Sequence, residues 1–222
     1  MPVYNERSTL EEIIRRVNHV GIVDELIIVD DGSRDGTRDL LPEIGEKYPI
    51  IRIILHEHNK GKGSAVRTGI AAATKDLVLI QDADLEYDPE DYHALIKPIK
   101  DGKTDVVYGS RFMAGPNKEA MFLHTLANKA LTLMTNILYG SVLTDMETCY
   151  KVFKRDLIQS IPLRAKRFDF EPEVTSKLLK RGVSIFEVPI SYDSREYSEG
   201  KKIGLTDAFE AVWTLVKYRF VE

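Results

Sequence analysis

The chain has 222 residues, enough for one sizeable hydrophobic core. A composition of 43% hydrophobic and 30% charged residues is that of an ordinary globular protein and excludes a disordered or fibrous chain. The formal net charge of −4 excludes the global basic field of a duplex nucleic-acid binder. The lone Cys149 excludes an intramolecular disulfide framework and suits a reducing, cytoplasmic setting.

Met1-Pro2-Val3-Tyr4-Asn5-Glu6 lacks the basic and apolar regions of a secretory signal. It reads as the end of a strand that is shortened at its N-terminus, because a full strand needs more apolar residues ahead of Pro2. Ser8-Thr9-Leu10-Glu11 has the pattern of a capping box, and Ile13, Ile14 and Val17 supply the apolar face of the helix behind it. Apolar runs at 26–30, 50–55, 77–81 and 105–108 read as strands. Their unalternated, β-branched composition suits a sheet covered on both faces. Helical patterns at 36–48 and 63–74 lie between them. This order predicts an α/β fold: a mostly parallel, Rossmann-like sheet sandwiched by helices, with right-handed crossovers.

The second half changes character. A long helix is expected over about 119–139; Lys129 near its middle, costing about 3 kcal/mol in a bilayer, argues against a membrane span. A mixed stretch follows, then a helix at 171–181, a strand at 183–188 and a last helix at 205–220. Leu205, Ala208, Phe209, Val212, Trp213, Leu215, Val216 and Phe220 give that helix an apolar face wider than one core contact requires. The face suits burial against the sheet or a second copy of the chain, or peripheral contact with a membrane, with Trp213, Lys217, Tyr218 and Arg219 at head-group depth. With no repeat or linker visible, one domain over 1–222 is expected. Residues 1–112 would bind a nucleotide, and 113–222 would form a helical acceptor-side region.

In a doubly wound sheet, ligands bind beyond the carboxyl ends of the strands, and polar motifs collect there. Asp30-Asp31-Gly32-Ser33 is either a strand-ending turn or a carboxylate pair for a ribose or base. Lys60-Gly61-Lys62-Gly63 is either a solvated loop or a phosphate cradle at a helix start, with Lys62 and Arg67 adding charge. Asp82-Ala83-Asp84 is the sharpest motif. Two carboxylates around one small residue can hold Mg²⁺ or Mn²⁺, which take one or two carboxylates and complete their shell with water and phosphate oxygens. Alone such a triplet is commonly a surface turn; its place after a buried strand, among other polar strand ends, favours the metal. His56-x-His58 looks like a metal pair but has no third ligand in view.

Together with Val3-Tyr4-Asn5-Glu6, Arg34-Asp35-Gly36-Thr37, Leu85-Glu86 and Gly109-Ser110-Arg111-Phe112, these motifs resemble, in order and spacing, the family-2 glycosyltransferases of the GT-A fold. Within that family the chain is most similar to the dolichol-phosphate mannose synthase branch, which glycosylates polyprenyl phosphates. The resemblance implies an inverting, metal-dependent hexosyl transfer from a GDP- or UDP-sugar. It implies base and ribose contacts from Pro2, Tyr4, Glu6 and Asp31. Lys62, Arg67, Asp82 and Ala83 would complete the sugar-nucleotide site, and Asp82, Asp84 and Glu86 would hold the metal. Asp84, Arg111 and Asp145 would serve catalysis. Arg111, Glu171, Arg195, Lys201 and Lys202 would bind a lipid-phosphate acceptor. Here Ser198-Glu199-Gly200-Lys201 stands where those enzymes usually have Gly-Glu-Ser-Lys. A hydroxyl acceptor would need a general base, for which Asp145 is the candidate. Two further readings are a sugar nucleotidyltransferase, which lacks its Gly-rich basic loop here, and a non-catalytic nucleotide-sugar binder.

Overall fold

The computed structural model describes residues 1–113, 122–193 and 205–221. In chain order the elements are β1 (Pro2–Val3), α1 (Leu10–His19), β2 (Leu26–Asp30), α2 (Thr37–Lys47), β3 (Ile51–Leu55), α3 (Lys62–Ala72), β4 (Leu77–Leu79), α4 (Tyr92–Lys100), β5 (Val106–Ser110), α5 (Phe122–Tyr139), β6 (Lys151–Lys154), α6 (Arg155–Gln159), α7 (Phe170–Lys180), β7 (Ile185–Pro189) and α8 (Leu205–Phe220). The expected α/β architecture is present. β1, β2 and β3 form a parallel ladder in that order, with Pro2 opposite Val29 and Leu26 opposite Ile51. A second ladder runs β4-β6-β5-β7; β5 and β7 are parallel, and β6 is antiparallel to both its neighbours.

Burial explains why these runs become strands. All five residues of β2 are buried, as are all five of β5, so neither can alternate. β3 departs from the expectation of full cover: it is an edge strand with half-buried and exposed residues. Leu10, Ile13, Ile14 and Val17 of α1 join the main core, with Val66 and Ile70 of α3. The capping box at Ser8–Glu11 does not form. Thr9 is the N-cap, and its hydroxyl turns back to the Glu6 carboxylate, 2.6 Å away. Three elements escaped the sequence pattern: α4, β6 and α6. Helix α4 carries Pro98 in its interior, which reads as a breaker, although its last turn accommodates it. Strand β6 lies in a run buried on both faces that includes a lysine.

The apolar face of α8 is divided. Ala211, Leu215 and Tyr218 are buried against the rest of the chain, whereas Phe209 is 75% exposed and Trp213 65% exposed. No described helix is long and apolar enough to cross a membrane.

The amino group of Met1 lies inside the molecule and donates to the Ile27 carbonyl oxygen at 2.8 Å. Burial pulls its pKa down from 8.0 to about 6, with Cys149 and Asp82 opposing weakly. The folded form therefore binds fewer protons than the unfolded chain between these values, so stability rises as pH climbs from 6 to 8. The expected gain is roughly 2 kcal/mol, and Nα-acetylation should remove it; urea titrations of both forms at the two pH values check this.

Candidate active site

The carboxyl ends of β1, β2, β4 and β5 bring the candidate residues together. After β1, the chain turns through Asn5, whose φ of 57° lies in the left-handed region. Its amide donates to Ser33 Oγ at 2.9 Å, and its Oδ1 accepts from the Arg34 amide at 2.8 Å. The Glu6 amide donates to Thr37 Oγ1 at 2.9 Å. The loop carrying Tyr4, which is 45% exposed, is thus stitched to the loop that follows β2.

Asp30 and Asp31, both buried, are bonded within the chain. Asp30 pairs with Arg38 of α2 at 2.7 Å. Asp31 accepts from His56 Nδ1 at 2.6 Å, from the Lys60 amide at 2.9 Å and from the Gly61 amide at 2.7 Å. These bonds tie the loop after β3 to the end of β2. His56 is held between Asp31 and Thr68, whose Oγ1 is 3.0 Å from Nε2; it is a structural histidine, and His58 is exposed.

The start of α3 also corrects the sequence reading. The amides of Gly63 and Ser64 donate to the carbonyl oxygens of Arg167 and Lys166 at 3.0 and 3.1 Å. With Lys60 and Gly61 bound to Asp31, this helix start is capped by protein and is not an open phosphate cradle. Its glycines serve close packing. Gly61 has φ +94°, and a Cβ there would collide with the Lys166 carbonyl; a Cβ on Gly63 would lie 2.8 Å from the Arg167 oxygen. Arg67, expected beside the carboxylates, donates instead to the carbonyl oxygens of Arg164 and Ala165 at 3.2 and 3.4 Å.

Lys62 is the cation that does reach the acidic centre. Its Nζ lies 2.9 Å from Asp82 Oδ2 and 3.3 Å from Glu171 Oε1. Burial alone would lower its pKa, but Asp82 and Glu171 override that and hold it well above the usual range. Burial likewise pushes Asp82 up, and Lys62 brings it below the ordinary carboxylate value. Behind Asp82, Gln81 Oε1 accepts from Tyr92 and Tyr150 at 2.5 and 2.7 Å, which locks the end of β4. Ala83 is buried, and Asp84 accepts from the Glu86 amide at 3.2 Å.

Among the described residues, no three carboxylate, histidine or cysteine side chains converge as a metal cage. Glu86 Oε2 accepts from Tyr192 at 3.2 Å. Asp82 and Asp84 remain. That donor set fits a hard cation that takes its other ligands from water and diphosphate oxygens.

On the acceptor side, Arg111 clamps Asp145 with two side-chain bonds of 2.7 Å and an amide bond of 3.0 Å. Asp145 is fully buried, and its own amide, with that of Thr144, donates to Glu187 of β7. A carboxylate so engaged would have to give up these bonds before it could take a proton. Sequence reasoning missed two neighbours. Lys151, fully buried, donates to the carbonyl oxygens of Met146 and Thr148 and lies 4.3 Å from the Tyr108 ring centre. Glu147 keeps a buried Oε1 without a partner, and burial, then Glu171, push its pKa up to about 8. The only signal for Lys151 was a lysine inside an apolar run. Arg195, Lys201 and Lys202 lie outside the described residues.

Asp82, Asp84 and the paired Lys62 thus lie at strand and helix ends of an α/β fold. Residues 1–161 match the model of glycosyl transferase family 2, and the chain belongs to that family. It is 30% identical to a dolichol-phosphate mannosyltransferase of Pyrococcus furiosus, over 98% of this chain and 63% of the relative's length. It is 29% identical to a polyprenol monophosphomannose synthase of Mycolicibacterium smegmatis, over 92% of this chain and 80% of the relative. Among solved structures, glucosyl-3-phosphoglycerate synthase from Mycobacterium tuberculosis in complex with UDP superposes with TM-score 0.77 at 22% identity, covering 100% of this chain and 79% of that one. The same enzyme in complex with Mn²⁺ and UDP-glucose gives 0.75 at 22% identity, over 100% and 78%. These two likenesses establish the shared fold.

The Gly61 geometry gives a direct test. Gly61→Ala should destabilise the fold by about 2 kcal/mol or more, read as a lowered urea midpoint, because both the left-handed φ and the Lys166 carbonyl oppose a Cβ.

Proposed function

We propose that the chain is an inverting glycosyltransferase that moves a sugar from a nucleoside diphosphate sugar to a polyprenyl phosphate, with a divalent metal. The observation that carries this reading is the meeting of Asp82, Lys62 and Glu171 at the end of β4 and the starts of α3 and α7, with Asp84 two residues beyond Asp82. It is supported by relatives whose names carry dolichol-phosphate, polyprenol and dolichyl-phosphate chemistry.

Asp82 and Asp84 would hold Mn²⁺ or Mg²⁺, which would supply Lewis-acid neutralisation of the departing diphosphate. Lys62 contributes a fixed positive charge beside Asp82, where a diphosphate drawn to the site would meet it. Tyr4, exposed on the loop after β1, would offer its ring to the base. On the other side, a phosphate acceptor is already anionic and needs cations for positioning, not a base. That matches an Asp145 committed to Arg111. A hydroxyl acceptor would require Asp145 to give up two bonds of 2.7 Å before it could take a proton. Arg111 would orient the acceptor phosphate, together with Arg195, Lys201 and Lys202.

Asp84→Ala should lower sugar transfer to a short-chain polyprenyl phosphate at least ~10²-fold, with the far-UV circular dichroism unchanged. Transfer at the wild-type rate, with UDP- or GDP-sugars, would sink the proposal.

The exposed halves of α5 and α8 suit peripheral contact with the membrane that carries such an acceptor. Leu133 and Ile137 of α5 are 60% and 74% exposed, and Phe209, Trp213 and Phe220 of α8, which packs on α5, are exposed as well. Replacing Phe209 and Trp213 by serine should weaken cosedimentation with anionic vesicles roughly tenfold or more, while transfer to a water-soluble short-chain acceptor persists. Unchanged vesicle binding with loss of a dimer in sedimentation would assign the face to a second copy of the chain.

A further inference from the structure

The segment from Asp145 to Tyr150 joins the two sides of the site. At one end the Asp145 carboxylate is held by Arg111, on the acceptor side. At the other end the Cys149 thiol faces Asp82, and its amide donates to Tyr87 Oη at 3.2 Å. Tyr150 then bonds Gln81, behind the donor centre. Glu147 stands midway, between Asp145 and Cys149. Two steps of chain cover at most about 7 Å, so its backbone is that close to both.

The Glu147 side chain is the unusual group on this segment. Its Oε1 is buried, and no protein group among the described residues bonds it. The other buried side-chain atoms in that condition are the hydroxyls of Thr148 and Ser176, so Glu147 is the one ionisable group among them. Lys151 does not neutralise it, because its ammonium is committed to the carbonyl oxygens of Met146 and Thr148. Lys62 is likewise held by Asp82 and Glu171. A buried polar group left unbonded in a native structure calls for an explanation, and the position of Glu147 supplies one. Burial, and then Glu171, keep its carboxyl protonated up to about pH 8. In that form it both donates and accepts, as a hydroxyl group does.

In a transfer from a diphosphate to an acceptor, the sugar must lie between the two. That is the interval Glu147 occupies. We propose that Glu147 reads the transferred sugar: its carboxyl group exchanges hydrogen bonds with a hydroxyl of a neutral hexosyl group and so selects donors by their sugar. The proposal rests on the glycosyltransferase reading and deepens it. Asp82 and Glu171 share one ammonium, so the surroundings are acidic, and a neutral sugar fits them better than a uronate.

The test is calorimetry with Mn²⁺, comparing UDP with UDP-glucose and UDP-N-acetylglucosamine, and GDP with GDP-mannose. For the sugar nucleotide that the wild-type protein binds best, Glu147→Leu should weaken binding at least ~10-fold. Its affinity for the bare nucleotide should stay within about threefold of wild type. Glu147→Gln keeps a donor and an acceptor and should bind the sugar nucleotide within about threefold of wild type. The thermal midpoint of Glu147→Leu should equal or exceed that of wild type, since an unbonded buried carboxyl is removed. Undiminished binding of the sugar nucleotide by Glu147→Leu would overturn the proposal. So would an equal loss of the bare nucleotide with a lowered thermal midpoint, since Glu147 would then serve the fold. A wild-type protein that binds none of the three sugar nucleotides would refute the glycosyltransferase reading itself, and the proposal with it.

Discussion

The carboxylate of Asp31 sets much of what surrounds it. Buried at the end of β2, it gathers one imidazole and two amides from the segment after β3. An ionised carboxylate taken from water needs such donors, and each is a charge-assisted bond stronger than a neutral one. By collecting the Lys60 and Gly61 amides it fixes where α3 starts, and so where Lys62 points. The ammonium of Lys62 then reaches Asp82 and Glu171, which belong to β4 and α7. One buried acceptor therefore links the second strand to the charge balance of the acidic centre. Gly32 takes part in the same contact: its φ of +78° lets the backbone of His58 and Asn59 come close enough for the loop to close.

The acceptor side follows the same logic with the signs exchanged. Arg111 is the buried cation, Asp145 its partner, and Glu187 of β7 holds the backbone that presents Asp145. Burial lifts the pKa of Glu187, and its bonds to Thr144 and Asp145 pull it back. Broken pairs of this kind are costly, since the charge left behind stays out of water, so the pairing fixes geometry more firmly than it adds stability. The Arg111 guanidinium also lies 5.2 Å from the Tyr192 ring centre, and Tyr192 bonds Glu86. Through that ring the ends of β5 and β7 meet the segment that follows Asp84.

The parallel first half was legible in the sequence because its strands are buried on both faces and its helices are amphipathic. The strand ends were legible because carboxylates, glycines and lysines recur there in order. What could not be read was which polar group each would choose. Asp31, Arg67 and the start of α3 all looked available to a ligand, yet backbone donors and acceptors from elsewhere in the chain engage them. A one-dimensional pattern shows a charge but not its partner a hundred residues away. Glu171 illustrates the reverse. At the first turn of a helix it was equally well explained by the macrodipole, and only its distance to Lys62 assigns it to the centre.

Residues 164–167 have a mechanical consequence for the whole cleft. Their amides are taken by Glu173 and Asp169 at the start of α7, and their carbonyls by Arg67, Gly63 and Ser64 of α3. The strap is thus fastened along both edges, like a batten between two beams. The helices bearing Lys62 and Glu171 cannot slide past one another without stripping it off. Any opening that admits a substrate must leave that spacing alone, so this wall of the cleft acts as a fixed jaw.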